Sequence, residues 1–212
     1  MRYATVFLLA AACVVSAACS NPAADVAKAT TNAAASPGAA PRERAGERIP
    51  VTPEGSQIAF TGSKVTGSES GRFEKFSGAI HLVGESPEQS RVEVEIETAS
   101  VATDSEGLAE HLKAEDFFDV AGHPKATFTS TGIRAGGERG ATHTVTGDLE
   151  LRGVRKSITF PASISVARDA VTVRAEFAIN RKDFGITYAG RADDLIRDEV
   201  VLRLSLRAPR SS

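Results

Sequence analysis

Apolar and polar residues alternate with a period of two through most of the chain after residue 50. Val92, Val94 and Ile96, for example, are separated by Glu93 and Glu95. The segments with this pattern are 91–97, 144–151, 157–165, 171–179 and 200–207, with weaker cases at 56–62, 71–83 and 126–133. Such alternation is typical of antiparallel strands with one buried and one wet face. The pattern predicts an all-β domain of about eight antiparallel strands, closed as a barrel or packed as a sandwich.

One segment between the predicted strands has a helical pattern instead. Residues 104–119 place Leu108, Leu112 and Phe117 on one side, and Thr103 or Asp104 could cap the first turn. A helix inserted between strands either covers one end of a barrel or is structural filler, and the sequence leaves both open.

The first nineteen residues are predicted to be a signal segment. Arg2 supplies a positive start, and the apolar run 4–18 is too short for a comfortable membrane span. The sequence from Ser16 to Cys19 resembles a bacterial lipobox, whose cysteine is acylated after cleavage. Residues 1–19 are therefore interpreted as a signal peptide of the lipoprotein type, with Cys19 as the lipidation site. The alternative is a plain secreted protein with one unpaired thiol.

Residues 20–49 have the composition of a linker, rich in Ala, with three Pro and no apolar period. This predicts a disordered tether that spans roughly 30 Å as a flexible coil, with an Ala-rich helix at 23–35 as the alternative. The folded domain is then expected at 50–208. With the lipid anchor, these segments predict a periplasmic protein tethered to the outer membrane. Without the anchor, they predict a soluble periplasmic or secreted protein.

Composition argues against several classes of function. The formal net charge is −2, and the chain lacks the basic patch of a nucleic-acid binder. Cys13 and Cys19 are the only cysteines, so the predicted domain has no thiolate for a disulfide, a nucleophile or a metal site. The four histidines form no HExxH-type motif, and no G-x-S-x-G nucleophile elbow is present. We therefore predict a non-enzymatic protein with no cofactor and no metal.

Four motifs follow one another along the predicted domain. They are Gly71-Arg72-Phe73-x-x-Phe76-x-Gly78, Asp116-Phe117-Phe118-Asp119-Val120 with His123-Pro124-x-x-x-Phe128, Gly147-Asp148-Leu149-x-Leu151-x-Gly153-Val154-x-Lys156, and Asn180-Arg181-x-Asp183-Phe184-Gly185. In this order and spacing, over residues 56–207, the chain resembles the YceI-like family of bacterial periplasmic proteins. The resemblance implies an eight-stranded antiparallel lipocalin-like barrel with one short inserted helix, which in this family binds polyisoprenoid or related long-chain lipids in its interior.

The same resemblance implies that part of the alternating apolar set lines a lipid-binding tunnel instead of filling a core. The expected wall residues are Phe60, Phe73, Phe76, Val94, Ile96, Phe128, Leu149, Phe160 and Phe177. Arg72, Asn180 and Arg181 are candidates for contacting a polar head group, because a guanidinium suits phosphate or carbonyl oxygens. Alternatively, Arg181 pairs with Asp183 or Asp148 to hold a turn.

The predicted function is non-catalytic binding of a long-chain isoprenoid-type lipid, a quinone-like one included, in the bacterial envelope. The protein would carry or sequester this lipid. Its expected partners are the lipid and the membrane reached through the lipid anchor, with no nucleic acid, and a homodimer is left open. The alternative is an envelope interaction protein whose barrel is filled and holds no lipid. An enzyme acting on lipids would need a polar cluster inside the barrel, where the predicted positions are almost entirely apolar.

Overall fold

The computed structural model describes residues 21–35 and 46–210. The predicted signal peptide 1–19, with Cys19, lies outside these residues. The described part contains fourteen β-strands, one α-helix and three short 3₁₀ helices. The strands are β1 (Thr30–Ala33), β2 (Glu47–Val51), β3 (Gln57–Ser63), β4 (Ser68–Phe73), β5 (Phe76–Val83), β6 (Ser86–Glu97), β7 (Val101–Thr103), β8 (Lys125–Ala135), β9 (His143–Leu151), β10 (Val154–Val166), β11 (Ala170–Asn180), β12 (Gly190–Arg191), β13 (Asp194–Leu195) and β14 (Glu199–Pro209). The helix α1 is Glu106–Lys113, and the 3₁₀ helices are Thr98–Ser100, Glu138–Gly140 and Arg181–Phe184.

Twelve of the strands form one antiparallel sheet. Its hydrogen-bonded order is β2-β5-β6-β8-β9-β10-β11-β14-β3-β4-β7, with β1 added beside β10, while β12 and β13 pair separately. Buried residues from nine of these strands share one hydrophobic core. An ion pair of 3.0 Å between Arg210, just after β14, and Glu47 of β2 joins the β2 edge to β14. The sheet therefore curls into a barrel-like wall around a common interior.

All eight predicted segments are strands, but the predicted number of strands is wrong. Glu74 and Lys75 divide the segment 71–83 into β4 and β5. The strands β1, β2, β7, β12 and β13 are absent from the prediction, because at two to five residues they are too short to show an alternating pattern. The prediction of an antiparallel all-β fold with one short helix is confirmed.

The α-helix is shorter than the predicted 104–119 and begins later. It covers Glu106–Lys113, and its N-cap is Ser105, whose hydroxyl accepts a hydrogen bond from a main-chain amide in the first turn. The predicted caps, Thr103 and Asp104, precede the observed one. Within the described residues, no helix combines the length and the apolar character needed to span a bilayer.

Helix α1 and the turn after it cover one end of the interior. Leu112 in the helix and Phe117 in the turn are both buried, and they pack against Phe60 of β3 and Ile186. Of the two roles that the sequence leaves open, the position of the helix over an end of the barrel agrees with the first.

The segment predicted to be a disordered linker, 20–49, contains ordered strands. β1 pairs with β10, and β2, which begins at Glu47, pairs with β5. Ala23 is buried against Ala178 and Val201 on the outer face of the sheet. Alanine side chains are small enough to let one backbone approach another closely, so an Ala-rich segment can dock on a sheet. The described residues of 23–35 form no helix. We call residues 21–33 the N-terminal arm.

The N-terminal arm is inserted as a strand between β10 and β11. These two strands pair only between residues 163–166 and 171–174 and separate beyond this hairpin. Thr30–Ala33 then pairs with β10 in antiparallel register. The main chain at Lys28 forms a parallel bridge with Ala178 of β11. The arm therefore completes the wall where two strands that are consecutive in the chain diverge.

Glycines in two of the four motifs make room for aromatic rings on neighbouring strands. A Cβ atom at Gly147 would collide with the ring of Phe128 and lie 2.7 Å from the Thr129 carbonyl oxygen. A Cβ atom at Gly71 would collide with the ring of Phe60, its cross-strand partner. Each ring packs over bare backbone, which explains why glycine occupies these positions.

We expect Gly147→Ala to lower the free energy of unfolding by about 1–3 kcal/mol, because the Phe128 ring must move to admit a methyl group. Urea denaturation followed by circular dichroism would measure the change. Gly132→Ala on β8 is the matched control, since no atom lies within 4 Å of its Cβ position. An equal loss of stability in both variants would contradict the explanation.

Candidate functional site

A cavity of about 220 Å³ lies inside the curled sheet. Its wall is built from side chains of β3, β4, β6, β8, β9, β10, β11 and β14, together with residues of α1, the turn after it and the segment before β14. Apart from Gly62 and Arg181, every lining residue is apolar. Cavities with such walls stay dry, because they offer water too few hydrogen-bond partners. The interior therefore suits a hydrocarbon group.

Eight of the nine predicted wall residues line this cavity. They are Phe60, Phe73, Val94, Ile96, Phe128, Leu149, Phe160 and Phe177. The ninth, Phe76, is buried in the surrounding core with 6% of its surface exposed and does not line the cavity. The structure thus brings eight of these side chains together, and their contact with a lipid stays a prediction.

The wall also contains residues that the sequence prediction missed. Leu202 and Leu204 belong to the alternating pattern of β14, which could have identified them. Phe118, Ile186 and Ile196 lie in turns or loops, where no period marks the side of the chain that faces inward. These three side chains reach the cavity only because the tertiary fold brings their segments to one end of it.

Aromatic rings gather at two places in the wall. Beside the turn after α1, the ring centroids of Phe60, Phe73 and Phe118 lie 5.5–6.2 Å apart. Elsewhere, Phe160 of β10 stacks on Phe177 of β11 at 4.0 Å, with 13° between the ring planes. If the β10–β11 pairing continued in the same register beyond Ser163 and Arg174, Phe160 would lie opposite Phe177. The stacked pair therefore lies where the two strands separate.

Arg181 is the one charged residue among those that line the cavity, and 3% of its surface is exposed. Its guanidinium donates hydrogen bonds to the carbonyl oxygens of Arg197 at 3.0 Å, Ile186 at 2.8 Å and Ile196 at 3.3 Å. The carboxylate of Asp198 lies 3.6 Å from Nη2. Burial lowers the pKa of Arg181 from its usual value, and the Asp198 charge opposes this shift.

The predicted pairing of Arg181 with Asp183 or Asp148 is wrong. Asp148 instead binds Arg155 at 2.6 Å, and Asp198 is the carboxylate beside Arg181. Because three of its hydrogen bonds go to main-chain carbonyls of residues 186–197, the Arg181 side chain holds this segment against the barrel.

The other two head-group candidates do not line the cavity. The Arg72 side chain is half exposed and pairs with Glu74 at 2.8 Å. The Oδ1 atom of Asn180 accepts a hydrogen bond of 2.9 Å from the Lys182 amide and caps the 3₁₀ helix that begins at Arg181. The three candidates therefore do not converge on one point of the cavity.

Polar side chains near the turn after α1 form pairs. Nε2 of His111 lies 3.4 Å from Asp116, and Nε2 of His123 lies 3.7 Å from Asp119. None of these four residues lines the cavity. Across residues 21–35 and 46–210, no group of three or more His, Cys, Asp or Glu side chains could hold a metal ion.

Sequence comparison places the barrel among known proteins. The model of the YceI-like domain family matches residues 50–208. A UPF0312 protein of Pseudomonas savastanoi pv. phaseolicola is 37% identical over 126 residues, which cover 57% of this chain and 65% of that protein. A UPF0312 protein of Azotobacter vinelandii is 38% identical over 122 residues, or 55% and 62% of the two chains. The chain thus spans slightly less than two thirds of the length of these relatives.

Solved structures share the fold. A Campylobacter jejuni YCEI protein has a TM-score of 0.57 at 26% identity, over 67% of this chain and 85% of that one. Burkholderia cenocepacia BcnA has a TM-score of 0.67 at 24% identity, over 74% and 99%. A domain of Saccharophagus degradans, described as polyisoprenoid binding, has a TM-score of 0.61 at 20% identity, over 78% and 100%. For the last two proteins the likeness concerns the fold alone.

We expect Arg181→Leu to lower the free energy of unfolding by about 3 kcal/mol, because the carbonyl groups of Ile186, Ile196 and Arg197 lose their hydrogen-bond donor. The matched control is Arg72→Leu, whose exposed ion pair contributes at most about 1 kcal/mol. Urea denaturation of both variants measures the difference. Equal stabilities of the two variants would contradict a structural role for Arg181.

Proposed function

The chain belongs to the family of YceI-like domains, and on that premise we propose that it binds a long-chain isoprenoid-type lipid inside its barrel without catalysing a reaction. In this role the protein carries the lipid or keeps it sequestered. The barrel shields an apolar lipid tail that would otherwise be exposed to water, and the lipid is released chemically unchanged.

The observation that carries this proposal is the composition of the cavity wall. Every lining side chain except that of Arg181 is apolar. Each methylene group that leaves water for such a wall gains about 0.8 kcal/mol. An isoprenoid tail also leaves no polar group of its own without a hydrogen-bond partner. A polar substrate, in contrast, would lose its hydrogen bonds to water without replacement.

The placement of Arg181 supports recognition of the tail and not of the head group. Its guanidinium is already engaged with main-chain carbonyls, and Arg72 and Asn180 do not line the cavity. A charged head group would therefore stay in water. Lipids with a small or weakly polar head group, quinone-like ones included, fit this arrangement best. The structurally similar domain of Saccharophagus degradans, described as polyisoprenoid binding, supports the choice of lipid class.

We place this function in the bacterial envelope, as an extension of the same proposal. Its support is the signal-like segment 1–19 and the lipobox-like sequence that ends at Cys19. Acylation of Cys19 would tether the barrel to the outer membrane, next to a store of apolar lipids. Mass spectrometry of the mature N-terminus from a bacterial host distinguishes an acylated from a free cysteine.

A filled barrel that serves as an envelope interaction protein is the second candidate. One observation favours it, because the cavity of about 220 Å³ is smaller than the roughly 300–1,000 Å³ of typical ligand sites. The stacked rings of Phe160 and Phe177 also fill space that a ligand could use. Under this alternative the outer surface, not the interior, would determine activity.

Organic extraction of the protein purified from its bacterial host, followed by mass spectrometry, tests the two candidates. We expect a long-chain isoprenoid-type lipid near one equivalent per barrel. A protein that was never exposed to host lipids and takes up added farnesol would support the same conclusion. An extract without lipid, together with no uptake of farnesol, would overturn the proposal in favour of a filled barrel.

We further expect Leu149→Trp to weaken farnesol binding by about tenfold or more, which corresponds to about 1.4 kcal/mol. The larger side chain would occupy part of the cavity that Leu149 lines. Glu150→Trp is the matched control, because the adjacent side chain on β9 is exposed. Calorimetric titration and urea denaturation of both variants separate lost affinity from lost stability. Unchanged affinity in folded Leu149→Trp would contradict binding in this cavity.

A further inference from the structure

The N-terminal arm covers a seam in the cavity wall. We define the seam as the space between residues 154–162 of β10 and 175–180 of β11, which do not pair with each other. Just inside it lie Phe160 and Phe177, and both rings line the cavity. Ala29 of the arm packs against the same core. The arm is therefore the layer between these two lining rings and the outside.

The arm is held mainly by its main chain. The Ala29 amide donates to the Ala178 carbonyl at 2.8 Å, and the Ala178 amide donates to the Ala27 carbonyl at 2.8 Å. The pairing of β1 with β10 adds further main-chain hydrogen bonds. These bonds can be exchanged for bonds to water when the arm leaves, so their net contribution is about 0.5–1.5 kcal/mol each.

The side chains of the arm add little to its attachment. Those that it buries are mainly Ala23 and Ala27, which remove far less apolar surface from water than a Leu or Phe side chain. Its ion pair, between Lys28 and Glu199 at 2.7 Å, involves a Lys28 side chain that is 66% exposed. Such an exposed pair contributes at most about 1 kcal/mol.

The end of the barrel under α1 is closed more firmly. Leu112 and Phe117 are both buried there, and burial of each large side chain contributes about 1.5–3 kcal/mol. Displacing α1 would expose both side chains, whereas displacing the arm would expose small alanines and the partly buried Val26. In apolar surface exposed, the seam is therefore the less costly place to open the wall.

Opening the seam would also leave the rest of the sheet intact. The arm lies outside the residues 50–208 that the family model matches. The pairing of β10 with β9 and of β11 with β14 does not involve it. Without the arm, β10 and β11 would stand two strand spacings apart, about 10 Å, beyond their hairpin. A hydrocarbon chain can pass this opening once the stacked rings of Phe160 and Phe177, whose centroids lie 4.0 Å apart just inside it, turn aside.

We propose that the N-terminal arm is a lateral gate, which leaves the seam to admit an apolar ligand and returns to close the wall. This inference rests on the proposed function and deepens it by naming the ligand's route. Opening costs the same main-chain bonds whether the cavity is empty or filled. The gate therefore controls the rates of uptake and release, and it affects the equilibrium affinity little.

A disulfide across the seam tests the gate. Asn32→Cys and Ser157→Cys, at cross-strand partners of β1 and β10, are introduced into the full chain with Cys13→Ser and Cys19→Ser. The probe is N-phenyl-1-naphthylamine, an uncharged apolar fluorophore, and stopped-flow fluorescence measures its association and dissociation. The reduced form of the same protein is the matched control.

We expect the oxidised form to bind and release the probe about tenfold more slowly than the reduced form, because the disulfide removes a minor open population. The dissociation constants of the two forms should agree within about threefold, since both rates fall together. Equal rates in the two forms, with binding intact, would overturn the gate and leave the proposed function standing. No binding in either form would overturn both.

A releasing substitution supplies an independent measurement. Ala23→Asp places a carboxylate against Ala178 and Val201, and a buried charge without a partner favours undocking. We expect faster probe uptake and faster amide hydrogen exchange of residues 27–33 and of Ala178, whose amide donates to the arm, with exchange of β14 unchanged. Ala35→Asp, at an exposed position after the arm, is the control. Faster exchange without faster uptake would also overturn the gate.

Discussion

The burial of one continuous apolar face inside a curled sheet is the constraint on which the rest of the structure depends. The sheet must keep its main chain hydrogen-bonded while it curls, and the enclosed side chains must fit one another. Gly147 and Gly71 let the enclosed side chains fit, because they have no side chain where the rings of Phe128 and Phe60 need space. Arg181 keeps the main chain hydrogen-bonded, since its guanidinium satisfies carbonyl groups where the chain leaves regular pairing near residues 186–197.

The long strands and most of the candidate site could be predicted from the sequence, because both depend on a local period. Residues such as Val94 and Phe160 reveal their inward direction by alternation with polar neighbours. Phe118 reaches the same cavity from a turn, where only the tertiary fold determines the direction of a side chain. The short strand β1 escaped prediction because its residues resemble a linker. Its order comes from pairing with β10, which lies more than a hundred positions away in the chain.

The partners of polar side chains depend on the tertiary fold more than on any local pattern. Alternation and composition say nothing about which carboxylate an arginine will meet. The sequence offers Asp183 or Asp148 as the partner of Arg181, but Asp198 lies next to it because β14 begins beside the end of β11. An arginine that holds a loop in place and an arginine that binds a ligand cannot be distinguished by residue type. Only the acceptors of the guanidinium hydrogen bonds distinguish the two roles.

An apolar wall has consequences for selectivity. Without directed hydrogen bonds, a cavity distinguishes ligands by shape and length, and one methylene group changes affinity by only about 1–3 kcal/mol. Under the proposed function, the barrel would therefore suit a class of related lipid chains more than one compound. Discrimination within that class would come from the positions of rings such as Phe73 and Phe177 in the wall.

The docked arm also changes how far the barrel could stand from a membrane. A free linker over residues 20–49 would allow a reach of roughly 30 Å, whereas Ala23 is fixed on the sheet beside Val201. Four Cα–Cα steps lead from Cys19 to Ala23, and they cover at most about 14 Å. If Cys19 carries the lipid, the docked arm leaves only a short tether, which holds one side of the barrel near the bilayer. Undocking of the arm would lengthen this tether. The distance of the barrel from the membrane and the access to its interior would then change in the same movement.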